Sequence, residues 1–238
     1  MSTIKLPQFV IIRNYLEQMI AAKRMGPNAK LPSERVIAAE LNTTRVTLRE
    51  ALRQLEGDGI IYRQDRRGWF VTPHRISYDP TKQIGFMDYV KAQGNQPKTQ
   101  VIEIDFIKAT AELAAIFTID EQMQVFRLRR LRFIDNREVL YEQIYLRADF
   151  FPGLENIDFS HSLTTALKAQ YGTLFSKQHV ISHLITLQNT VARALLVVSG
   201  TPGLCIKRKI YDDQDRVFEY DEEYWRPEAC QLQMSVNL

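Results

Sequence analysis

A chain of 238 residues, 45% hydrophobic and 25% charged, has room for one large or two small globular domains, and its composition excludes a fibrous or disordered protein. Two cysteines, Cys205 and Cys230, are too few for a disulfide framework, and no charged-then-apolar leader or long apolar run points to export or membrane insertion. A reduced, cytoplasmic protein with no membrane partner is therefore expected. The formal net charge of +3 hides an asymmetry: residues 1–75 carry 13 Lys or Arg against 7 Asp or Glu, and the remainder 18 against 21. That split suits a nucleic-acid module joined to a body that must avoid DNA.

Residues 7–19 read as an opening helix with Phe9, Ile12, Leu16 and Ile20 on one side, stopped by Gly26-Pro27. Residues 31–71 hold the densest set of signals. Ser33 stands where an N-cap belongs, Glu34 places an acid in the first helical turn, and Ile37, Ala38 and Leu41 form an apolar face. Thr44 then caps a second helix in which Leu48, Ala51, Leu52 and Leu55 recur at core spacing, leaving Arg45, Arg49 and Arg53 opposite. Gly57-Asp58-Gly59 ends it. Ile60-Ile61-Tyr62 and Trp69-Phe70-Val71 bracket Gln64-Asp65-Arg66-Arg67-Gly68 as a basic hairpin.

Helix pair followed by basic hairpin predicts a winged helix-turn-helix, and hence double-stranded operator DNA as the first partner. In this motif the N-terminal residues of the second helix meet base edges, where arginine donates two hydrogen bonds to guanine. Arg45 is the expected base reader, with Thr44, Thr47 and Arg49 near phosphates or thymine methyl groups and Arg35 on the backbone. Arg66, Arg67 and Gly68 form the expected wing contact, and Arg53 reads as a solvated position.

Residues 76–83 read as an irregular linker, and residues 84–238 as a second domain. There, helices are expected at 84–92, 110–117, 162–170 and 190–197, and strands at 101–107, 125–134, 138–146, 179–188, 204–211, 216–225 and 232–236. Antiparallel strands mixed with helices imply an α+β domain. With a period of two, Phe126, Leu128, Arg130, Arg132 and Ile134 share a strand face, and Glu142 sits among Leu140, Ile144 and Leu146 on the partner strand. Buried charge without a partner costs several kcal/mol, roughly, per ion. Either Glu142 pairs with an arginine as a structural network, or these groups surround a cavity that binds a charged ligand. Glu219, Asp221 and Glu223 share a face with Val217 and Trp225, while Phe218, Tyr220 and Tyr224 make the other face look more buried; the pattern leaves open which face lines a pocket. His179 and His183 are four apart, but no Cys or His cluster completes a coordination shell, so neither metal nor cofactor is expected. No nucleophile and base stand at recognisable spacing and no phosphate loop is present, so an enzyme is not expected.

Residues 8–73, through Leu31-Pro-Ser-Glu-Arg35, Thr44-Arg45-Val46-Thr47-Leu48-Arg49 and Arg67-Gly68, resemble the DNA-binding domain of the GntR family of bacterial regulators, although the wing replaces the common Gly-Ser-Gly-Thr tip. Residues 84–237 resemble the UTRA effector domain of its HutC subfamily, through the 94–97 turn, Arg130-Leu131-Arg132 with Asp135, Glu142, Phe151-Pro152-Gly153-Leu154, Ser162-Leu163, the 195–203 segment, and Glu219 with Trp225. The resemblance implies a chorismate-lyase-like fold and a pocket for a small anionic or zwitterionic metabolite that controls operator affinity; a homodimer is expected because one small winged helix rarely provides enough specificity and two on symmetric half-sites do. Carried over by position, it implies that Arg130 and Arg132 grip an anion, Ser162 donates a hydrogen bond, Glu142 and Glu219 accept from ammonium or hydroxyl groups, and Phe86 or Met87 closes the pocket. Thr164 and Trp225 stand where sugar-phosphate-binding members tend to carry tyrosine, which argues against an amino-sugar phosphate. Asn42-Thr43-Thr44-Arg45, residues 65–73 and Glu223-Tyr224-Trp225-Arg226 further resemble PhnR-type regulators of 2-aminoethylphosphonate use. The implied function is a transcription regulator, expected to be a repressor, sensing that compound or a related phosphonate. The alternatives are another ligand, such as an amino-sugar phosphate or an amino-acid derivative, or an enzyme on the same fold.

Overall fold

The structure is a computed structural model that describes residues 6–22, 25–172 and 175–235. It divides into two compact units, one of Met1–Arg75 with Leu196–Val198 and one of Ile76–Leu195 with Ser199–Leu238. In the first unit, helices α1 (Gln8–Ala21), α2 (Glu34–Glu40) and α3 (Arg45–Gly57) precede an antiparallel hairpin of β1 (Ile61–Gln64) and β2 (Gly68–Val71). The expected caps form: Ser33 Oγ accepts from Val36 N at 3.4 Å and Thr44 Oγ1 from Thr47 N at 3.2 Å. Leu48, Ala51, Leu52 and Leu55 are fully buried against Ile12, Leu16, Ile37 and Trp69, so the spacing in α3 identifies its core face. The hairpin reverses through Arg66 and Gly68, both with positive φ, 57° and 102°. At Gly68 a side chain would be strained.

The second unit runs β3 (Ile76–Tyr78), α4 (Phe86–Ala92), β4 (Pro97–Lys108), α5 (Ala111–Phe117), β5 (Gln124–Ile134), β6 (Arg137–Arg147), α6 (Leu163–Tyr171), β7 (Lys177–Leu187), α7 (Asn189–Ala194), β8 (Thr201–Tyr211), β9 (Val217–Trp225) and β10 (Cys230–Leu232). Six strands make one antiparallel sheet in the order β4-β5-β6-β9-β8-β7, and β10 pairs in parallel with β3. The β5–β6 hairpin closes through Asp135 and Asn136, both at positive φ, as a tight two-residue connection requires. Asp135 also accepts from Asn95 Nδ2 (2.7 Å) and Gln96 N (2.9 Å), which ties the turn after α4 to the hairpin.

Three expectations change. Ile76–Tyr78, read as linker, is a strand because its partner lies more than 150 residues on, beyond the reach of a local pattern. The last strand occupies Cys230–Leu232 instead of 232–236, whose final residue lies outside those described. The helix expected over 190–197 stops at Ala194, and Leu196 then takes a left-handed φ of 52°.

Strand register lays out one face of the sheet as a grid. Arg130 on β5 faces Glu142 on β6, which faces Glu223 on β9; one row along, Ile144 faces Asp221, which faces Arg208 on β8. The next row pairs Leu146 with Glu219 and Glu219 with Ile210. With Arg132, which pairs with Leu140 one step along β5, four carboxylates and three arginines thus stand among apolar residues on this face.

Candidate functional site

That face, with β3, the segment before α4 and the start of α6, encloses a cavity of about 70 Å³ in the second unit. Gly85 eases the close approach to the N-terminus of α6: a Cβ there would sit 3.3 Å from Ser162 Oγ, a tight contact that the serine would have to relieve by a small shift. Of the residues expected to bind an effector, Phe86, Arg130, Arg132, Glu142, Ser162, Thr164 and Glu219 line the cavity. Trp225 and Met87 do not. Trp225 is fully buried beside the cavity, packed on Tyr78 and Phe86, and its Nε1 donates to Glu223 Oε2 at 2.8 Å. Met87 packs into the same hydrophobic cluster, with its sulfur 3.7 Å from Thr99 Oγ1. Both residues support the wall, since a helix turn or a strand step carries them past the open space.

The question of network against ligand site receives a divided answer. Glu142 is committed to protein: Arg130 Nε donates to its Oε2 at 2.6 Å and Arg132 Nε at 3.1 Å. Burial would raise the Glu142 carboxyl, yet the two guanidinium groups hold it down at about 2. Arg130 also donates from Nη1 to the carbonyls of Phe159 and His161, both at 3.3 Å, and burial with the neighbouring Arg132 lowers its own pKa to about 10. Arg132 donates to Thr99 Oγ1 (2.5 Å) and lies over the Phe86 ring, 5.1 Å from its centroid. Ser162 Oγ caps α6 by accepting from Thr165 N at 3.3 Å, which leaves its hydroxyl proton to donate.

The second half of the cavity was not visible in the β5–β6 pattern. Arg208 donates to Glu223 Oε1 (2.5 Å) and to Tyr78 Oη (2.6 Å), and Tyr78 in turn donates to Glu223 Oε1 at 2.9 Å. Glu223 is thereby satisfied. Glu219 and Asp221 are not: Glu219 Oε2 and Asp221 Oδ1 are buried without a hydrogen-bond partner, and Asp221 Oδ1 has only the Arg208 Nε at 3.7 Å. Burial raises the Glu219 carboxyl to about 7 against the lowering effect of Arg208 and Arg130, and raises Asp221 well above the carboxylate range. The face of β9 that lines the cavity is therefore that of Glu219, Asp221 and Glu223. Phe218, assigned by period to the opposite face, is the extra residue of a bulge, because Ile210 pairs with Glu219 and Tyr211 with Val217; it joins the core beside Ile144 and Leu146. Leu204, Ile206, Arg208 and Ile210 alternate on β8 as the β5 residues do, so Arg208 was detectable as a charge on an apolar face.

In the first unit, Arg35, Arg45, Arg66, Arg67 and Gly68 line one concave surface together with Lys30 and Arg63. Lys30 was missed because it stands alone among uncharged neighbours, and Arg63 because it lies on the strand before the hairpin tip. Thr44 and Thr47 share a hydroxyl hydrogen bond of 2.9 Å at the start of α3. Arg49 is held by Glu34, its Nε donating at 2.7 Å, while Trp69 Nε1 donates to the other oxygen of the same carboxylate at 3.2 Å. Glu34 thus ties α3 and the wing strand to α2. Val46 is 79% exposed beside Arg45, an apolar group of the kind that meets thymine methyls. His179 and His183 are exposed on β7, and among the described residues no group of three or more potential ligands could hold a metal ion. No described helix is long and apolar enough to cross a membrane.

A three-helix winged unit followed by a sheet domain with a charged internal cavity defines a DNA-binding transcriptional regulator with an effector domain. The comparisons agree: residues 11–71 match the model of bacterial regulatory proteins of the gntR family, and residues 92–231 match the UTRA domain. The chain belongs to the GntR family of transcriptional regulators and carries a UTRA domain. It is 31% identical to the HTH-type transcriptional regulator YihL of Escherichia coli K12, over 87% of this chain and 88% of that protein. It is 26% identical to the HTH-type transcriptional repressor NagR of Bacillus subtilis, over 93% and 91%. The crystal structure of PhnF from Mycobacterium smegmatis superposes with a TM-score of 0.67 at 25% identity, covering 95% of this chain and 99% of that one.

Proposed function

We propose that this regulator is a homodimeric repressor whose operator affinity is set by a small anionic or zwitterionic metabolite in the sheet-domain cavity, 2-aminoethylphosphonate or a related phosphonate being the preferred ligand. The observation that carries this reading is the cavity itself, whose lining brings Arg130, Arg132 and Ser162 together with Glu219 and Asp221, each of which has a buried carboxylate oxygen without a hydrogen-bond partner. Guanidinium forks suit the oxygens of a phosphonate, and the first-turn N–H groups of α6, which lack intrahelical partners, add donors of the same sign. In the first unit, Arg45 reads bases while Arg35, Arg66 and Arg67, joined by Lys30 and Arg63, neutralise phosphates. Dimerisation supplies two half-site contacts, since a single winged helix offers little specificity.

The test is thermal unfolding with 2-aminoethylphosphonate, an amino-sugar phosphate or inorganic phosphate, followed by binding of the protein to its own promoter DNA with and without each compound. A native-state ligand at about 100 times its Kd adds roughly 2.7 kcal/mol, a shift of several degrees. The expected result is a shift with 2-aminoethylphosphonate alone and a changed DNA affinity in its presence. A shift with the sugar phosphate alone replaces the ligand, and DNA affinity indifferent to every stabilising compound removes the effector role.

A further inference from the structure

The charged residues that line the cavity do not balance. Arg130, Arg132 and Arg208 face Glu142, Glu219, Asp221 and Glu223, so the lining carries one more acid than base. Two of the four acids have full sets of partners: Glu142 is spanned by Arg130 and Arg132, and Glu223 accepts from Arg208, Tyr78 and Trp225. The deficit falls on Glu219 and Asp221, two residues apart on one face of β9 and each only 4% exposed. Glu219 Oε2 and Asp221 Oδ1 are buried acceptors with no hydrogen-bond donor; of the two cations near them, Arg130 is held by Glu142 and the Phe159 and His161 carbonyls, while Arg208 turns its Nη2 to Glu223 and Tyr78 and leaves its Nε 3.7 Å from Asp221 Oδ1. Orphaned acceptors of this kind are rare in a folded protein because each costs about 1–3 kcal/mol unless something absent from the bare chain satisfies it.

We propose that Glu219 and Asp221 form a cation subsite within the effector cavity, which selects ligands bearing a primary ammonium group and makes Asp221 a specificity-determining residue. This deepens the effector reading and rests on it. An ammonium supplies the missing unit of positive charge and up to three donors for the two orphaned oxygens, and it requires no change in the pairing of Arg130 and Arg132 with Glu142. Burial that raises both carboxyls toward their neutral forms is what a counter-charge removed from the pair would leave behind. A neutral alkyl tail in the same place would leave both oxygens unsatisfied, so discrimination against it is built into the site.

The experiment compares isosteres. Binding of 2-aminoethylphosphonate and of propylphosphonate, in which a methyl group replaces the ammonium, is measured by calorimetry on the full-length protein and on its Asp221→Asn and Glu219→Gln variants. Thermal unfolding is followed in parallel with ethylammonium chloride against sodium and potassium chloride at equal ionic strength. The expected result is at least tenfold tighter binding of the aminophosphonate by the wild-type protein, with that preference lost in Asp221→Asn. Equal binding of the two phosphonates overturns the subsite and leaves the phosphonate reading standing. If neither phosphonate binds, stabilisation by ethylammonium that disappears in both variants upholds the subsite and removes the phosphonate. Equal effects of ethylammonium, sodium and potassium, or none from any of them, overturn the subsite in that case. Both substitutions keep the shape of the side chain and remove only its capacity to carry a negative charge, so the variants retain the fold needed for the comparison.

Discussion

The arginines of the winged unit and those of the sheet domain are one chemical group in opposite surroundings, and the contrast shows how each unit uses positive charge. In the winged unit Arg66 is 93% exposed at the hairpin tip, and Arg35, Arg45 and Arg67 line an open concave surface. There the charge is available to phosphate and its effect weakens as salt rises. In the sheet domain Arg130 and Arg132 are almost wholly buried against Glu142, and Arg208 against Glu223 and Asp221. Their charge is balanced in part by carboxylates that face them across the strands. What they contribute is a fixed, desolvated frame in which one further charged group is strongly discriminated.

Breaking a frame contact separates the two most sharply. Arg130→Ala leaves Glu142 buried beside Arg132 alone, and we expect about 3–5 kcal/mol of lost stability in urea unfolding, whereas Arg66→Ala leaves the midpoint in place and weakens DNA binding instead. A neutral result for Arg130→Ala would show that water replaces the guanidinium and that the frame is softer than its geometry implies.

The pH response sharpens the comparison next. Glu219 has its folded pKa raised from 4.5 to about 7, so the folded state holds a proton that the unfolded chain has released. Stability from this group is complete below 4.5 and is lost as pH rises through about 7, a change on the order of 3 kcal/mol. Glu142 acts in the opposite sense, with stability present above 4.5 and lost as pH falls toward 2. Unfolding free energy measured from pH 4.5 to 8 falls in the wild-type protein, and Glu219→Gln flattens that fall; an unchanged slope in the variant assigns it elsewhere.

The smallest of these effects concerns the open surface. Arg45→Ala is expected to cost about 1–3 kcal/mol at the operator and to relax discrimination at one base position, with protein stability unaffected. Competition binding against operators substituted one base pair at a time measures this, and discrimination retained at every position would return Arg45 to phosphate contact.

How far the sequence reaches follows from the range of the forces involved. Caps, helix faces and the presence of a hairpin are decided by neighbours within a few positions, which is why Ser33, Thr44, the Leu48 to Leu55 stripe and the β5–β6 pair are legible in the order of residues alone, although the strand that begins at Arg137 starts one residue earlier than the expected 138. Exposed arginines on the winged unit are legible for the same reason, since the motif fixes which face is bare. Strand pairing between β3 and β10 depends on residues far apart in the chain, and so Ile76–Tyr78 looks like a linker when only its neighbours are considered. The bulge at Phe218 shifts one residue to the other face, a change that strict alternation has no means of showing. By itself the sequence determined that charges would stand on apolar strand faces; only the tertiary structure, by placing Arg130 opposite Glu142 and Arg208 opposite Asp221, decided which of them are already paired and which oxygens are left for a ligand.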